Sequence, residues 1–166
     1  MKFRVEHTFR GIGLADYEAL YFDEAFNTAL CKSVKLARTL EKRELKDGRL
    51  QRVVRIAADR ELPATVAKVI GASRIEYAEH LDYRMGSYHG LWKTISSVLT
   101  EKVDSHGTFG FATTRDGVMR VVEGEVNVKI FGIGGVIERF IVADVERSYD
   151  DAAHYTQKWL DSGGKP

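Results

Sequence analysis

Arg120 is the side chain whose position most invites chemistry. It falls in step with Val118, Val122, Val126 and Val128, the apolar face of a strand-like run from Gly117 to Ile130. A guanidinium on a covered face needs a carboxylate partner or an anionic ligand group beside it. The other arrangement is a bulge beside Gly117 that turns Arg120 to solvent. Glu79, in step with Tyr77, Leu81 and Tyr83, raises the same question. An Arg120–Glu79 pair inside the fold would answer both.

Acid–base work beside a bound carbonyl could fall to His80, Tyr83 or His89, since both residue types hydrogen-bond and pass protons. No nucleophile with its base stands out, so the catalytic set stays unassigned. The histidines His7, His80, His89, His106 and His154 are scattered without HExxH or other close ligand spacing. Cys31, flanked by Phe26, Leu30 and Val34, reads as a buried thiol and has no second cysteine to pair with. Gly132-Ile133-Gly134-Gly135 precedes a helical pattern but lacks GxGxxG and GK[ST] spacing, and so reads as a tight strand-to-helix turn. Neither a metal nor an organic cofactor is expected.

Charge points the same way. The 166 residues carry 25 Lys and Arg against 24 Asp and Glu, which gives no overall pull towards nucleic acid. One local run is basic: Lys32, Lys35, Arg38, Lys42, Arg43, Lys46, Arg49, Arg52 and Arg55 against Glu41, Glu44 and Asp47. On one convex face it could dock transiently on an acidic membrane surface; otherwise it is a solvated face. It has no interleaved aromatics for base stacking, so no specific nucleic-acid partner is expected. Lys2, Arg4 and Glu6 interrupt any apolar leader and no membrane-spanning run follows, so the cytoplasm is the expected address.

The elements that must position these residues follow from periodicity. Met1 to Arg10 alternates with Phe3, Val5, His7 and Phe9 on one side, as a half-covered strand does. Leu14 to about Leu30 turns helical, as one helix or as two joined near Phe22-Asp23. Ser33–Glu44 and Arg49–Ala58 read as a hairpin around Asp47-Gly48. A short helix spans Leu62 to Ile70, with Gly71 as its stop. Strands follow from Ile75 to Arg84 and Ser87 to Val98, then two short ones either side of His106-Gly107, then Gly117 to Ile130. From Gly135 to about Leu160 one long amphipathic helix sets Ile137, Ile141, Val145, Ser148, Tyr149, Ala152, Tyr155 and Trp159 on a broad face. Sequential hairpins make an antiparallel sheet, and one this long must curl, with the last helix as its natural filling. One domain over residues 1–161 is expected, with 162–166 as a flexible tail.

The order of elements resembles the START-like, or helix-grip (SRPBCC), superfamily, and the likeness runs from Met1 to Leu160. Within it the chain looks most like an uncharacterised bacterial START-like family. Asp23-Glu24-Ala25-Phe26, Leu62-Pro63 to Ile70-Gly71 and Tyr83-Arg84-Met85-Gly86-Ser87-Tyr88 carry the similarity, with Val122-Glu123-Gly124-Glu125-Val126 and Phe131-Gly132-Ile133-Gly134-Gly135-Val136-Ile137-Glu138. The resemblance implies an α+β helix-grip fold: a curved antiparallel sheet of about seven strands around the C-terminal helix, with an apolar tunnel between them. It also implies binding of a lipid or another hydrophobic small molecule, or, in a minority of members, cyclisation, dehydration or hydrolysis of such substrates. A polyketide cyclase or dehydratase-like enzyme is therefore one alternative, and a non-catalytic protein docking through the basic hairpin is another. A monomer or weak homodimer is expected.

The expected ligand site is the space between sheet and terminal helix, where the facing side chains either line a cavity or simply fill a solid core. Ile141, Val145, Ala152, Tyr155 and Trp159 would face it from the helix, Arg120, Val122, Gly124 and Val126 from the last strand, and Tyr88 and Trp92 from the middle of the sheet.

Overall fold

A computed structural model describes residues 1–164; Lys165 and Pro166, the end of the expected tail, lie outside the described residues. Strand β1 (Lys2–Arg10) leads into helices α1 (Leu14–Tyr21) and α2 (Glu24–Ser33), then strands β2 (Leu36–Lys46) and β3 (Arg49–Ala58) and helix α3 (Ala64–Ile70). Strands β4 (Glu76–Arg84), β5 (His89–Ser96), β6 (Val103–Thr113) and β7 (Gly117–Val128) precede helix α4 (Gly134–Asp161). The seven strands form one antiparallel sheet in the order β1-β7-β6-β5-β4-β3-β2. Every neighbouring pair but one is a sequential hairpin or meander step. The exception brings the first strand beside the last, with His7 opposite Arg120.

Alternation sets the inner face. Phe3, Val5 and Phe9 of β1 are buried, as are Val118, Arg120, Val122, Val126 and Val128 of β7, while the intervening positions are more open to solvent. A one-residue slip would put the whole set outside, so burial fixes the register. Asp47 and Gly48 both take positive φ, the backbone of a type I′ turn, which suits the twist of the β2–β3 hairpin.

Two helices form where one or two were expected. Asp23 separates them because its side chain accepts the Phe26 N–H at 2.7 Å and caps α2. That helix continues through Ser33, so the next strand begins three residues later than its alternation suggested.

The expected turn at His106-Gly107 is a correction, since β6 runs unbroken through it. Gly107 faces Gly124 across the β6–β7 ladder, and the ring of Trp92 lies over both. A Cβ at Gly107 would come within 1.9 Å of the Glu123 carbonyl oxygen, and one at Gly124 within 2.3 Å of the Trp92 ring. Gly107 admits the close backbone of β7, and Gly124 makes room for the indole, inside continuous strands; neither turns the chain.

Helix α4 packs on β1, β7 and α2 and stands off the middle strands. The space beneath is divided. Towards α1 it is packed with aromatic rings: Phe9 on Tyr17 at 5.0 Å, Tyr17 on Phe111 at 5.0 Å, Phe22 on Tyr83 at 4.6 Å and Tyr83 on Phe109 at 5.6 Å. Between α4 and strands β3 to β5 the packing is incomplete and a cavity remains. No helix among the described residues is long and apolar enough to cross a membrane.

Candidate functional site

The cavity measures about 230 Å³. One water needs roughly 10–15 Å³ measured in the same way, so this is room for a ligand and not for a single solvent molecule. Ile137, Ile141, Val145 and Ala152 of α4 form one wall. Val54, Ile56 and Ala58 of β3 and Trp92 of β5 face them, Phe26 and Leu30 of α2 close one side, and Ile70, Ile75 and Leu99 the far end. The wall is apolar because these positions keep the inward phase of their strands and one stripe of α4.

Of the expected site residues, Trp92, Arg120, Ile141, Val145 and Ala152 line this cavity. Val122 and Val126 are completely buried in the packed core beside it. Gly124 lies beneath the Trp92 ring, and Tyr88 sits in the β4–β5 turn at φ 57°, its carbonyl accepting the Phe111 N–H. Tyr155 and Trp159 turn away from the cavity because α2 intervenes. They pack on Phe26 with ring centres 6.0 and 5.1 Å apart and border a separate groove with Lys35, Arg60 and His154. Asp144, Ser148 and Thr156 come to the cavity from α4 in their place.

Arg120 points inward and is 4% exposed, so the solvent-turned arrangement does not occur. Nor does the pair with Glu79. That carboxylate lies 3.6 Å from Arg52, whose other neighbour, Glu24 at 3.6 Å, also contacts Arg38 at 2.6 Å. Arg120 instead sits between two rings, 5.2 Å from the centre of Phe9 and 5.1 Å from that of Tyr149. Its terminal nitrogen lies 3.1 Å from His7 Nδ1, and His7 Nε2 lies 2.7 Å from Asp150 on α4. Accepting from an arginine fixes Nδ1 as the bare nitrogen, so Nε2 carries the hydrogen and donates to Asp150. Burial opposes the charge on Arg120, and its interactions with Tyr17, Tyr21 and Tyr149, including a hydrogen bond with Tyr17, act against that cost.

Burial also pushes the phenols of Tyr17, Tyr21, Tyr77 and Tyr149 up, so they act as neutral donors and acceptors. The Cys31 thiol, which also lines the cavity, is pushed up by burial and is a poor nucleophile. The residues suggested for acid–base work are not brought together. Tyr83 is buried and donates to Glu18 at 2.5 Å, His80 lies on the opposite sheet face, and His89 is exposed.

The basic run divides by strand alternation. Arg38 and Arg52 line the cavity, Arg49 pairs with Asp82, and Arg55 pairs with Glu41 and Glu76. The nine charges therefore do not share one convex face.

Tyr17 and Tyr21 are cavity residues that the sequence did not single out, and Arg38 and Arg52 stand out in it only as part of the basic run. Arg52 carried a signal, since it alternates with the inward Leu50 and Val54. Tyr17 and Tyr21 carried helical spacing only, which does not distinguish a cavity wall from a core.

Residues 4–160 match a family described as a protein of unknown function (DUF2505). The chain belongs to this family. No curated protein matches it. Among solved structures, one from Thermus thermophilus superposes with a TM-score of 0.70 at 12% identity, covering 99% of this chain and 100% of the other. An aromatase/cyclase from Streptomyces sp. R1128 superposes at 0.59 with 14% identity, covering both chains fully. A Rhizobium leguminosarum protein gives 0.58 at 11%, covering 95% of each. The seven-stranded sheet around a long terminal helix is thus the START-like helix-grip fold.

Proposed function

We propose that this protein binds a compact hydrophobic small molecule in the cavity between the sheet and α4. One observation carries the reading: where α4 stands off β3 to β5, an apolar-walled space of about 230 Å³ remains beside a fully packed aromatic core. Closing such a gap needs only a few larger side chains, yet Ala58 and Ala152 face it. A ligand hiding ~200 Å² of apolar surface would gain about 5 kcal/mol before ordering costs, enough for useful affinity. Volumes of roughly 300–1,000 Å³ are usual for drug-sized ligands, so the occupant is a small one, or α2 moves to admit a lipid. A cytoplasmic carrier or store fits this reading.

Filling the cavity tests it. Ala152→Phe projects a ring into the space from the α4 wall. Binding of the neutral fluorescent probe N-phenyl-1-naphthylamine is expected to weaken about tenfold or more, with the melting temperature held or raised. Equal binding by both forms would place the probe elsewhere and remove the support.

Cyclase-like chemistry is a second reading, favoured by the neutral phenols of Tyr17, Tyr21 and Tyr149 beside Arg120, which could polarise a carbonyl. Turnover of a poly-β-ketone that disappears on Arg120→Gln, with binding retained, would separate it from simple carriage.

A further inference from the structure

We propose that the natural ligand is a carboxylic acid, its carboxylate set against Arg120 and its apolar body lying between Trp92 and the Ile141–Val145 stripe of α4. This rests on the cavity being a ligand site and says which class of molecule occupies it.

Charge and a missing partner point to it. Three arginines reach the cavity. Two are answered: Arg38 by Glu24 at 2.6 Å, and Arg52 by Glu24 and Glu79 at 3.6 Å each. The cavity's other carboxylate, Asp144, is taken by Arg60 at 3.0 Å and Arg147 at 2.7 Å. Arg120 alone among these has no carboxylate within ion-pair distance among the described residues, although it is only 4% exposed. Among the described residues its Nε has no hydrogen-bond partner; Arg52 Nε and Nη1 and Arg38 Nη2 share that lack, so the missing carboxylate is what sets Arg120 apart.

Its neighbours do not supply the missing anion. Phe9 and Tyr149 hold the cation over ring faces, and His7 accepts from one terminal nitrogen. Asp150 is reached only through that histidine and is 70% exposed. The guanidinium is thus held and oriented while its strongest kind of partner is absent. An isolated buried charge is costly, and a planar carboxylate matches the fork of an arginine better than any neutral acceptor does.

The phenols of Tyr17, Tyr21 and Tyr149 add neutral hydroxyl groups around the same point. Beyond them Ile137, Ile141, Val145 and Ala152 make the α4 wall apolar and the remaining charges are paired with one another, so a ligand with one charged end and a compact apolar body fits the pattern.

A matched pair of probes tests this. 2-Naphthoate and 2-naphthamide have nearly the same shape and differ in charge. Isothermal titration of the unaltered protein is expected to show the acid binding about tenfold or more tightly than the amide. In Arg120→Gln the preference is expected to shrink to within about twofold, because the acid loses more affinity than the amide. Acid and amide binding alike would overturn the carboxylate assignment and leave the hydrophobic site standing. A preference that survives Arg120→Gln would also overturn it, by pointing to another cation. Binding of neither probe would overturn the cavity reading and this inference together. The comparison on the unaltered protein needs no variant, so it decides the matter even if Arg120→Gln misfolds. Arg120→Lys keeps the charge and is expected to keep part of the preference.

Discussion

Tyr83 carries its hydroxyl to Glu18 at 2.5 Å, and the same carboxylate accepts the Gly86 N–H at 2.7 Å. Glu18 is 8% exposed, so these two donors are what make its burial tolerable. The pair ties α1 to the β4–β5 turn and closes the aromatic half of the interior. Tyr83→Phe keeps the ring and removes one donor, so a loss of about 1–3 kcal/mol in unfolding free energy is expected in urea titration. An unchanged midpoint would mean that the carboxylate finds another partner. Residue phase makes some of this legible. Arg120 reads as inward because it alternates with valines, and His7 reads as inward beside Phe3 and Val5. That the two touch is not legible, because it depends on the first strand pairing with the last, 113 residues away.

At the scale of elements, the start of α4 is pinned to the end of β7. Glu138 accepts the Val128 N–H at 2.9 Å and lies 3.4 Å from the N-terminal ammonium, and the backbone donor holds its carboxyl below the usual carboxylate range. A depressed folded-state value means stability is present above the unfolded carboxylate pKa of about 4.3 and is lost as pH falls through the folded value. Glu138→Gln is therefore expected to melt below the unaltered protein at pH 7, and the gap should close as the pH drops below about 4. A gap independent of pH would assign the effect to packing. The bounds of α4 can be read from its apolar stripe to within a residue, and the Asp47-Gly48 hairpin from its turn chemistry. The unbroken β6 cannot be read, since Gly107 looks like a breaker until the β7 backbone and the Trp92 ring are seen to crowd it. A glycine cleared for contacts from another strand leaves no local trace.

For the whole molecule, the organising fact is the division of one interior into a packed half and an open half. The periodicity of sheet and helix gives grounds for a curled sheet around α4, because both patterns are long and regular. Where the filling stops is beyond it. Val122 and Val126 share the phase of Arg120 yet sit in solid packing, while Tyr155 and Trp159 are separated from the space by α2. That depends on how far α4 leans towards β1 and β7, which no single segment encodes. The most direct measurement is a titration of 2-naphthamide followed by NMR of the Trp92 indole N–H and the methyl groups of Ile141, Val145 and Ala152, with intermolecular NOEs to the bound ring. Saturable shifts and NOEs at these four residues are the expected result. Shifts confined to Tyr155 and Trp159 in the outer groove, or none at any concentration, would contradict a ligand site between sheet and helix.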